Sequence, residues 1–179
     1  MVVKSVLIQN SALTEQAKAA IILEIETRVR TEFVGRFNIP FEDVRIRQAE
    51  PDEDLGFADT AQISGALVAD AETDYVARDI RNLNTVVGFY AINNLSANPL
   101  INRVRFKTGT SPGSGTKASY YLEGLYANAE PKGYLENPVM YAGEQMLIRV
   151  EASATVGAPG ERLILEGVVA EQAGDIITE

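Results

Sequence analysis

The sequence predicts an all-β protein, a single antiparallel β-sandwich or jelly-roll barrel with little helix. Several segments alternate apolar and polar residues with a period of two, as strands with one buried face do. Turn residues separate most of these segments at the spacing typical of sandwiches and barrels. The chain has 179 residues, 46% of them hydrophobic and 23% charged, which is enough for one self-sufficient core. We therefore expect one domain over residues 1–179, with residues 1–20 as a segment able to extend from the barrel.

The longest alternating segment in the N-terminal part runs from Leu23 to Phe33. Leucine, isoleucine, valine, threonine and phenylalanine occupy its odd positions, and charged residues occupy its even positions. This pattern predicts a long amphipathic strand, preceded at most by a short helical turn over residues 14–20. Val3–Ile8 and Asp43–Arg47 are two further β-rich segments, and residues 50–59 are predicted to form an exposed acidic loop.

The rest of the chain repeats the alternating pattern. The predicted strands are Thr85–Ile92, Arg103–Thr108, Ser119–Tyr126, Tyr134–Tyr141, Gln145–Ala152 and a run from Leu163 that ends near Glu171. Ala69–Ile80 is compatible with a strand or a short helix. Residues 109–117 are rich in glycine like a phosphate-binding loop. However, Thr116 precedes Lys117 and a strand follows, so the pattern favours a hairpin loop.

The chemistry that the sequence lacks bears directly on function. There is no histidine, cysteine or tryptophan, so catalytic triads, thiolate nucleophiles and the usual zinc sites have no residues to build them. The carboxylates of residues 50–59 do not have the spacing of a calcium-binding EF-hand loop, and a solvated loop is the simpler interpretation. We expect a protein that is not an enzyme and that has no catalytic, cofactor or metal site. A hydrolase that uses only carboxylates stays open as a competing class.

Five tyrosines raise the question of a sugar-binding surface. They are Tyr120, Tyr121, Tyr126, Tyr134 and Tyr141. Aromatic residues are common in strands and often span core and surface, so a structural role is the preferred interpretation. Asn94-Leu95-Ser96 matches the glycosylation sequon, but no signal peptide is predicted at the start of the chain, and no apolar run is long enough for a membrane span.

Charge patterning suggests protein–protein contact. The net charge of −9 disfavours stable binding to nucleic acid, and the sequence does not indicate membrane contact. Arg103, Arg105 and Lys107 form a basic stripe on one face of a predicted strand. Its simplest role is a solvated face with cross-strand partners. If it contacts a partner, we predict a salt-sensitive subunit interface against an acidic segment such as residues 50–59 of a neighbour.

The N-terminal segment is a second candidate for a subunit interface. Val3, Val6 and Ile8 have a β pattern, but no hairpin turn of their own follows them. We therefore expect this segment to add to a sheet, either that of its own subunit or that of a neighbour.

Three segments of the chain resemble those of small β-rich structural proteins of phage virions: Asn84–Ile92 (NTVVGFYAI), Asn94–Lys107 (NLSANPLINRVRFK) and Lys132–Tyr141 (KGYLENPVMY). Two alternating strands follow the last segment. The sequence from Arg81 to Glu171 resembles the smaller major capsid subunit of tailless phages with an internal membrane in its size, its all-β pattern and its lack of catalytic residues. That subunit is a single jelly roll.

This resemblance implies a virion structural protein, a capsid subunit that assembles with itself and with another virion structural protein. It also implies a location in the virion after assembly in the host cytoplasm. Two alternatives stay open: a capsid decoration or spike protein, and a carbohydrate-binding β-sandwich module that uses its tyrosines.

Overall fold

The computed structural model of the chain describes residues 5–109 and 115–175. Within these ranges, nine strands form two antiparallel sheets, and one long helix lies against the first sheet. The strands are β1 (Leu7–Gln9), β2 (Val44–Gln48), β3 (Glu72–Asp79), β4 (Val86–Asn94), β5 (Ile101–Thr108), β6 (Thr116–Tyr121), β7 (Lys132–Ala142), β8 (Gln145–Ala152) and β9 (Leu163–Gln172). The helices are α1 (Glu15–Phe37) and α2 (Glu123–Ala127), with short 3-10 turns at Asn10–Ala12, Phe41–Asp43 and Ala173–Asp175.

The strand order makes this fold a jelly roll. Sheet 1 has the order β1-β7-β4-β9-β2, and sheet 2 has the order β3-β8-β5-β6. From β2 onward the strands pair in a nested series: β2 with β9, β3 with β8, β4 with β7, and β5 with β6. A ribbon of antiparallel pairs rolled into two facing sheets is the eight-strand jelly-roll arrangement. The fold class predicted from the sequence is confirmed.

The predicted strand over Leu23–Phe33 is wrong, because this segment belongs to α1. Thr14 caps the helix, since its Oγ1 accepts a hydrogen bond from the backbone N–H of Ala17 at 3.1 Å. Asn38 ends the helix in the left-handed conformation, with φ at 52°. Both residues are favoured at these positions. The helical turn predicted over residues 14–20 lies almost entirely in the first part of this much longer helix.

Helical spacing explains which side chains of α1 are buried. Ile25, Val29 and Phe33 lie four residues apart and are fully buried against sheet 1, as one face of a helix should be. Leu23, which shares their parity, is 63% exposed. The helix lies close to the sheet because Gly88 of β4 has no side chain. A Cβ atom there would lie 2.6 Å from Cγ1 of Ile25 and 2.7 Å from Cγ1 of Val29.

Two hydrophobic clusters fill the protein, one on each side of sheet 1. The larger cluster lies between the sheets and includes Phe89, Phe106 and Tyr141. The smaller one lies between sheet 1 and α1 and includes Phe33 and Tyr90. No described helix combines the length and the apolarity needed to cross a membrane.

Most other predicted strands agree with the structure to within a few residues. Ala69–Ile80, which the pattern left open, contains strand β3. The prediction for Ser119–Tyr126 is only half right, because β6 ends at Tyr121 and α2 follows it. The predicted hairpin loop over residues 109–117 lies between the antiparallel strands β5 and β6 and includes the first two residues of β6, Thr116 and Lys117. Its residues 110–114 lie outside the described ranges.

Candidate functional site

The predicted basic stripe lies on the outer face of sheet 2, and carboxylates of the same chain neutralise it. Glu72 of β3 lies at its centre, with Oε1 3.5 Å from Arg103 Nη2 and in direct contact with Arg105 Nη1. The Glu72 Oε2 atom lies 3.9 Å from Lys107 Nζ. The three basic side chains are only 14% to 26% exposed. They lie flat on the sheet and do not project into solvent.

Strand β8 extends this ion-pair network. Arg149 Nη1 lies 3.6 Å from Glu72 Oε2, and Arg149 Nε lies 2.7 Å from Asp74 Oδ1. Glu151 contacts the guanidinium group of Arg103. Cross-strand partners of this kind are the role that the sequence favoured for the stripe. An acidic segment of a neighbour would have to compete with two internal carboxylates, Glu72 and Glu151. The predicted subunit contact at Arg103, Arg105 and Lys107 therefore stays a prediction.

The N-terminal segment joins both sheets of its own barrel. Leu7, Ile8 and Gln9 form β1 and pair antiparallel with β7, so the segment adds to a sheet as predicted. Two residues before β1, the N–H of Ser5 donates to the carbonyl of Ser119 in β6 at 3.3 Å. Val6, between these two contacts, is 60% exposed.

Ile8 is partly buried against the cluster under α1, and Val3 lies outside the described residues. The subunit contact predicted for these side chains is a separate claim and stays a prediction.

The tyrosines do not form an aromatic surface. Tyr120, Tyr134 and Tyr141 are buried, Tyr126 is partly buried, and Tyr121 is 39% exposed. The hydroxyl of Tyr120 donates to the carbonyl of Asn137 at 2.6 Å, and that of Tyr141 donates to the carbonyl of Lys107 at 3.0 Å. Burial raises the pKa of the Tyr120, Tyr126 and Tyr141 hydroxyls. These side chains have the structural role that the sequence favoured.

The acidic loop over residues 50–59 is less exposed than predicted. Asp54 is 8% exposed and Leu55 is 2% exposed. The Asp54 carboxylate accepts hydrogen bonds from Arg47 Nη1 at 2.6 Å and Nη2 at 2.9 Å, and from the N–H of Glu50 at 2.6 Å. The hydrogen bond to Asp54 is the main cause that raises the pKa of Arg47. Asp54 therefore anchors the loop to β2. Among the described residues, no group of three acidic side chains is arranged to hold a metal ion.

A different surface lies at one end of the barrel, where three segments carry no charged residue: 60–69, 93–101 and 152–160. They include the end of the β2–β3 connection and all of the β4–β5 turn, together with most of the β8–β9 connection. Backbone hydrogen bonds join them into one layer. Leu67 and Val156 exchange two bonds of 2.9 Å, and the N–H of Ser153 donates to the carbonyl of Leu100 at 2.9 Å. We refer to these three segments as the loop end.

The buried carboxylate of Glu161 holds the β4–β5 turn of the loop end in place. Glu161 is 4% exposed and accepts hydrogen bonds from the N–H of Ile101 at 3.0 Å, from Asn94 Nδ2 at 2.8 Å and from the N–H of Leu100. Asn94 also donates to the hydroxyl of Tyr126 at 3.0 Å. Because Asn94 is only 3% exposed and both contacts use its amide nitrogen, the sequon asparagine is a structural residue and is inaccessible to a glycan.

Three aliphatic side chains project from the loop end. Ile63, Val68 and Leu95 are 40%, 56% and 48% exposed. Arg162 lies between two of them, since it forms an antiparallel bridge with Ile63 and its carbonyl accepts from the N–H of Leu95 at 2.9 Å. Exposed apolar residues grouped in this way are a feature of interaction surfaces.

Asp70 and Arg162 are two exposed charges of opposite sign that border the loop end, and the exposed Asp59 precedes its first segment. Asp70 directly follows the first uncharged segment, and Arg162 follows Glu161 at the end of the third. Within residues 5–109 and 115–175, neither side chain is placed in an ion pair. Both charges are therefore available to a partner as far as the described residues are concerned.

Comparison of the chain with protein-family models, with curated proteins and with solved structures gave no match. The candidate surfaces therefore rest on the chain's own geometry. The sequence analysis missed the loop end, although the absence of charge in its three segments is visible in the sequence. What could not be seen is that segments as distant as residues 60–69 and 152–160 meet.

Proposed function

We propose that this chain is a virion structural protein, a capsid subunit that assembles with copies of itself and with another virion structural protein. The observation that carries the proposal is the complete nested pairing of β2 to β9. Jelly rolls of this kind recur in viral capsid and lectin domains and in cupins. Because fold alone does not assign function, the choice among these classes depends on the surfaces.

The surfaces favour a structural subunit. The outer face of sheet 1 is covered by α1, and the outer face of sheet 2 is covered by the ion-pair network around Glu72. Arg45 and Arg47 lie on edge strand β2, and Lys117 lies on edge strand β6. Charged residues on edge strands oppose uncontrolled strand pairing. A subunit whose sheet faces are covered, and whose edge strands β2 and β6 carry charges, can associate through defined patches, which a regular assembly requires.

The lectin alternative has less support from these side chains. A carbohydrate-binding surface built on the five tyrosines would depend mainly on Tyr121, because the others are buried or partly buried. Binding on a glycan array that is lost in Tyr121→Ala would favour this alternative. A decoration or spike role predicts attachment to preformed particles without assembly of the chain by itself. A broad activity screen addresses the remaining class, a hydrolase that uses carboxylates.

The test of the capsid proposal is assembly. The purified chain is followed by light scattering and negative-stain electron microscopy over a range of concentrations and salt, alone and with the structural proteins of a virion that contains it. We expect closed oligomers or lattices in at least one of these mixtures. A chain that stays monomeric in all of them, and that is absent from purified particles, would overturn the proposal.

Two variants locate the contacts predicted from the sequence. Deletion of residues 1–9 removes β1 and should weaken the oligomer. Charge reversal of Arg103 and Arg105 should weaken assembly most at low salt, where screening is weakest. Arg81→Glu is the matched control, because Arg81 is 62% exposed and its one ion-pair partner among the described residues is Asp79. Thermal unfolding of each variant separates lost assembly from lost folding.

A further inference from the structure

We propose that the loop end is a contact between two copies of this chain, with Ile63 and Leu95 at its centre and Arg162 of each copy paired with Asp70 of the other. This inference rests on the proposed function, since it names a surface through which the subunit assembles. It assigns a contact outside the predicted basic stripe and the N-terminal segment. The occupant is a second copy for three reasons, which concern charge, rigidity and complementarity.

The first reason is the distribution of charge. Each copy carries a net charge of −9, so two copies repel unless they meet through a surface with little charge or with balanced charge. The loop end has no charged residue in its three segments, and the exposed charges at its border include both signs, Asp59 and Asp70 against Arg162. The connection between β6 and β7 comes to the same end of the barrel and carries two carboxylates, Glu123 and Glu130, outside these three segments.

The opposite end of the barrel differs in this respect. It contains Arg81 in the β3–β4 connection, Glu144 beside the β7–β8 turn, and Glu42 and Asp43 in the 3-10 turn before β2. A contact there would require several charges to lose water. At the loop end, the three segments contribute no charge that has to lose water, and burial of their exposed aliphatic side chains favours association.

The second reason is that the loop end is already ordered in the single chain. Glu161 holds the turn 94–100 through three hydrogen bonds, and Leu67 and Val156 hold the other two segments together. A surface that is rigid before binding loses less conformational entropy when it binds. Loops fixed in this way by a rigid scaffold are where recognition is concentrated.

The third reason is self-complementarity. A two-fold contact places the same patch on both partners, so it needs both members of any ion pair within one patch. Asp70 and Arg162 are such a pair, exposed and without an ion-pair partner among the described residues. Ile63 and Leu95, on either side of Arg162, provide apolar surface next to the cation. Each Arg162 can then meet Asp70 of the other copy while the aliphatic side chains cover one another.

The experiment measures the dimer dissociation constant by sedimentation equilibrium for the full chain and six variants: two at leucines, three at the proposed ion pair, and the deletion of residues 1–9. Leu95→Asp places a carboxylate in the apolar centre and should raise the dissociation constant at least about tenfold, as expected for a central interface residue. Leu83→Asp is the matched control, since Leu83 is 39% exposed in the connection between β3 and β4 and should leave the constant unchanged. Leu95 is 48% exposed, so folding should survive the change, which urea unfolding checks.

A charge swap tests the proposed pair. Arg162→Glu and Asp70→Arg should each weaken the dimer, and the double variant should recover most of the wild-type affinity, because it restores both pairs with their signs exchanged. A merely structural role for either residue would give additive losses in the double variant.

Two results would overturn the inference. One is a dimer or larger oligomer that persists in Leu95→Asp and in Arg162→Glu but is lost when residues 1–9 are deleted. In that case the loop end is not the contact, while the proposed capsid function stands. The other is a chain that is monomeric at every concentration, alone or in assembly with a second virion protein. That result would remove both the contact and the function.

Discussion

Replacement of the buried Glu161 by glutamine should destabilise the whole domain. The carboxylate accepts from the N–H groups of Leu100 and Ile101 and from the amide of Asn94. A glutamine has one acceptor oxygen, so its NH₂ group must face at least one of these donors in either orientation. A hydrogen bond to a charged group contributes about 1.5–3 kcal/mol, and an unsatisfied buried donor costs about 1–3 kcal/mol. We expect Glu161→Gln to lower the free energy of unfolding by about 2–4 kcal/mol in total.

Urea unfolding monitored by circular dichroism measures this change, with the midpoint shifted and the m-value unchanged. Glu123→Gln on α2 is the control, because Glu123 is exposed and its replacement should change stability by less than about 0.5 kcal/mol. Hydrogen exchange provides a local measurement: the amides of Leu100 and Ile101 should exchange faster in Glu161→Gln under native conditions. If Glu161→Gln unfolds within about 0.5 kcal/mol of wild type, the reasoning about this network is refuted.

Three further predictions concern the rest of the fold. Gly88→Ala should destabilise the protein by about 1–3 kcal/mol in urea unfolding, because the new methyl group would overlap Ile25 of α1; an unchanged midpoint would mean that α1 moves freely. Glu72→Gln should destabilise the protein more at low salt than at high salt, since four cations lose their shared carboxylate; a salt-independent effect would contradict this. Burial raises the pKa of five tyrosines above the ordinary 10.0, so the unfolded chain loses their protons first, and stability should be full below pH 10 and fall as pH rises further. The absorbance of tyrosinate at 295 nm should therefore rise at a higher pH in the native protein than in the protein unfolded in urea, and overlapping titration curves would contradict this prediction. The five tyrosines are Tyr75, Tyr90, Tyr120, Tyr126 and Tyr141.

The sheets could be predicted from the sequence because each strand carries its own period of two. In β5, for example, Val104 and Phe106 are buried, while Arg103 and Arg105 lie on the outer face. The same pattern misled us in α1, where threonines fill positions that a strand would use. The residues Glu24 and Arg28 are spaced by four, a pairing that supports a helix equally well. The cap at Thr14 decides between the two structures, since the helix it starts continues through the ambiguous segment.

The candidate surfaces were harder to predict, because they depend on contacts between distant segments. The period of two places Arg103, Arg105 and Lys107 on one face, which agrees with the structure. It does not reveal that Glu72 lies among them, because β3 reaches that face only through its pairing with β8. The sequence favoured cross-strand partners for these three basic residues but could not identify them, whereas the topology supplies the shared carboxylate, Glu72.

The nested pairing of strands also explains why the three distant segments of the loop end meet. In a rolled ribbon of antiparallel pairs, the connections β2–β3, β4–β5, β6–β7 and β8–β9 must come to the same end of the barrel, while β3–β4, β5–β6 and β7–β8 come to the other. The loop end consists of segments from three of these four connections, and the fourth, β6–β7, carries Glu123 and Glu130. Segments at residues 60–69, 93–101 and 152–160 are far apart in the sequence, so nothing local requires all three to be free of charge. They share this property at the one place where the fold makes them neighbours. Glu161 lies beneath them, where its carboxylate accepts from residues of the segment 93–101 and its backbone bonds to Ser64 of the segment 60–69. A shared composition that has physical consequences only in the folded state is better explained by a contact made there than by the needs of each loop alone.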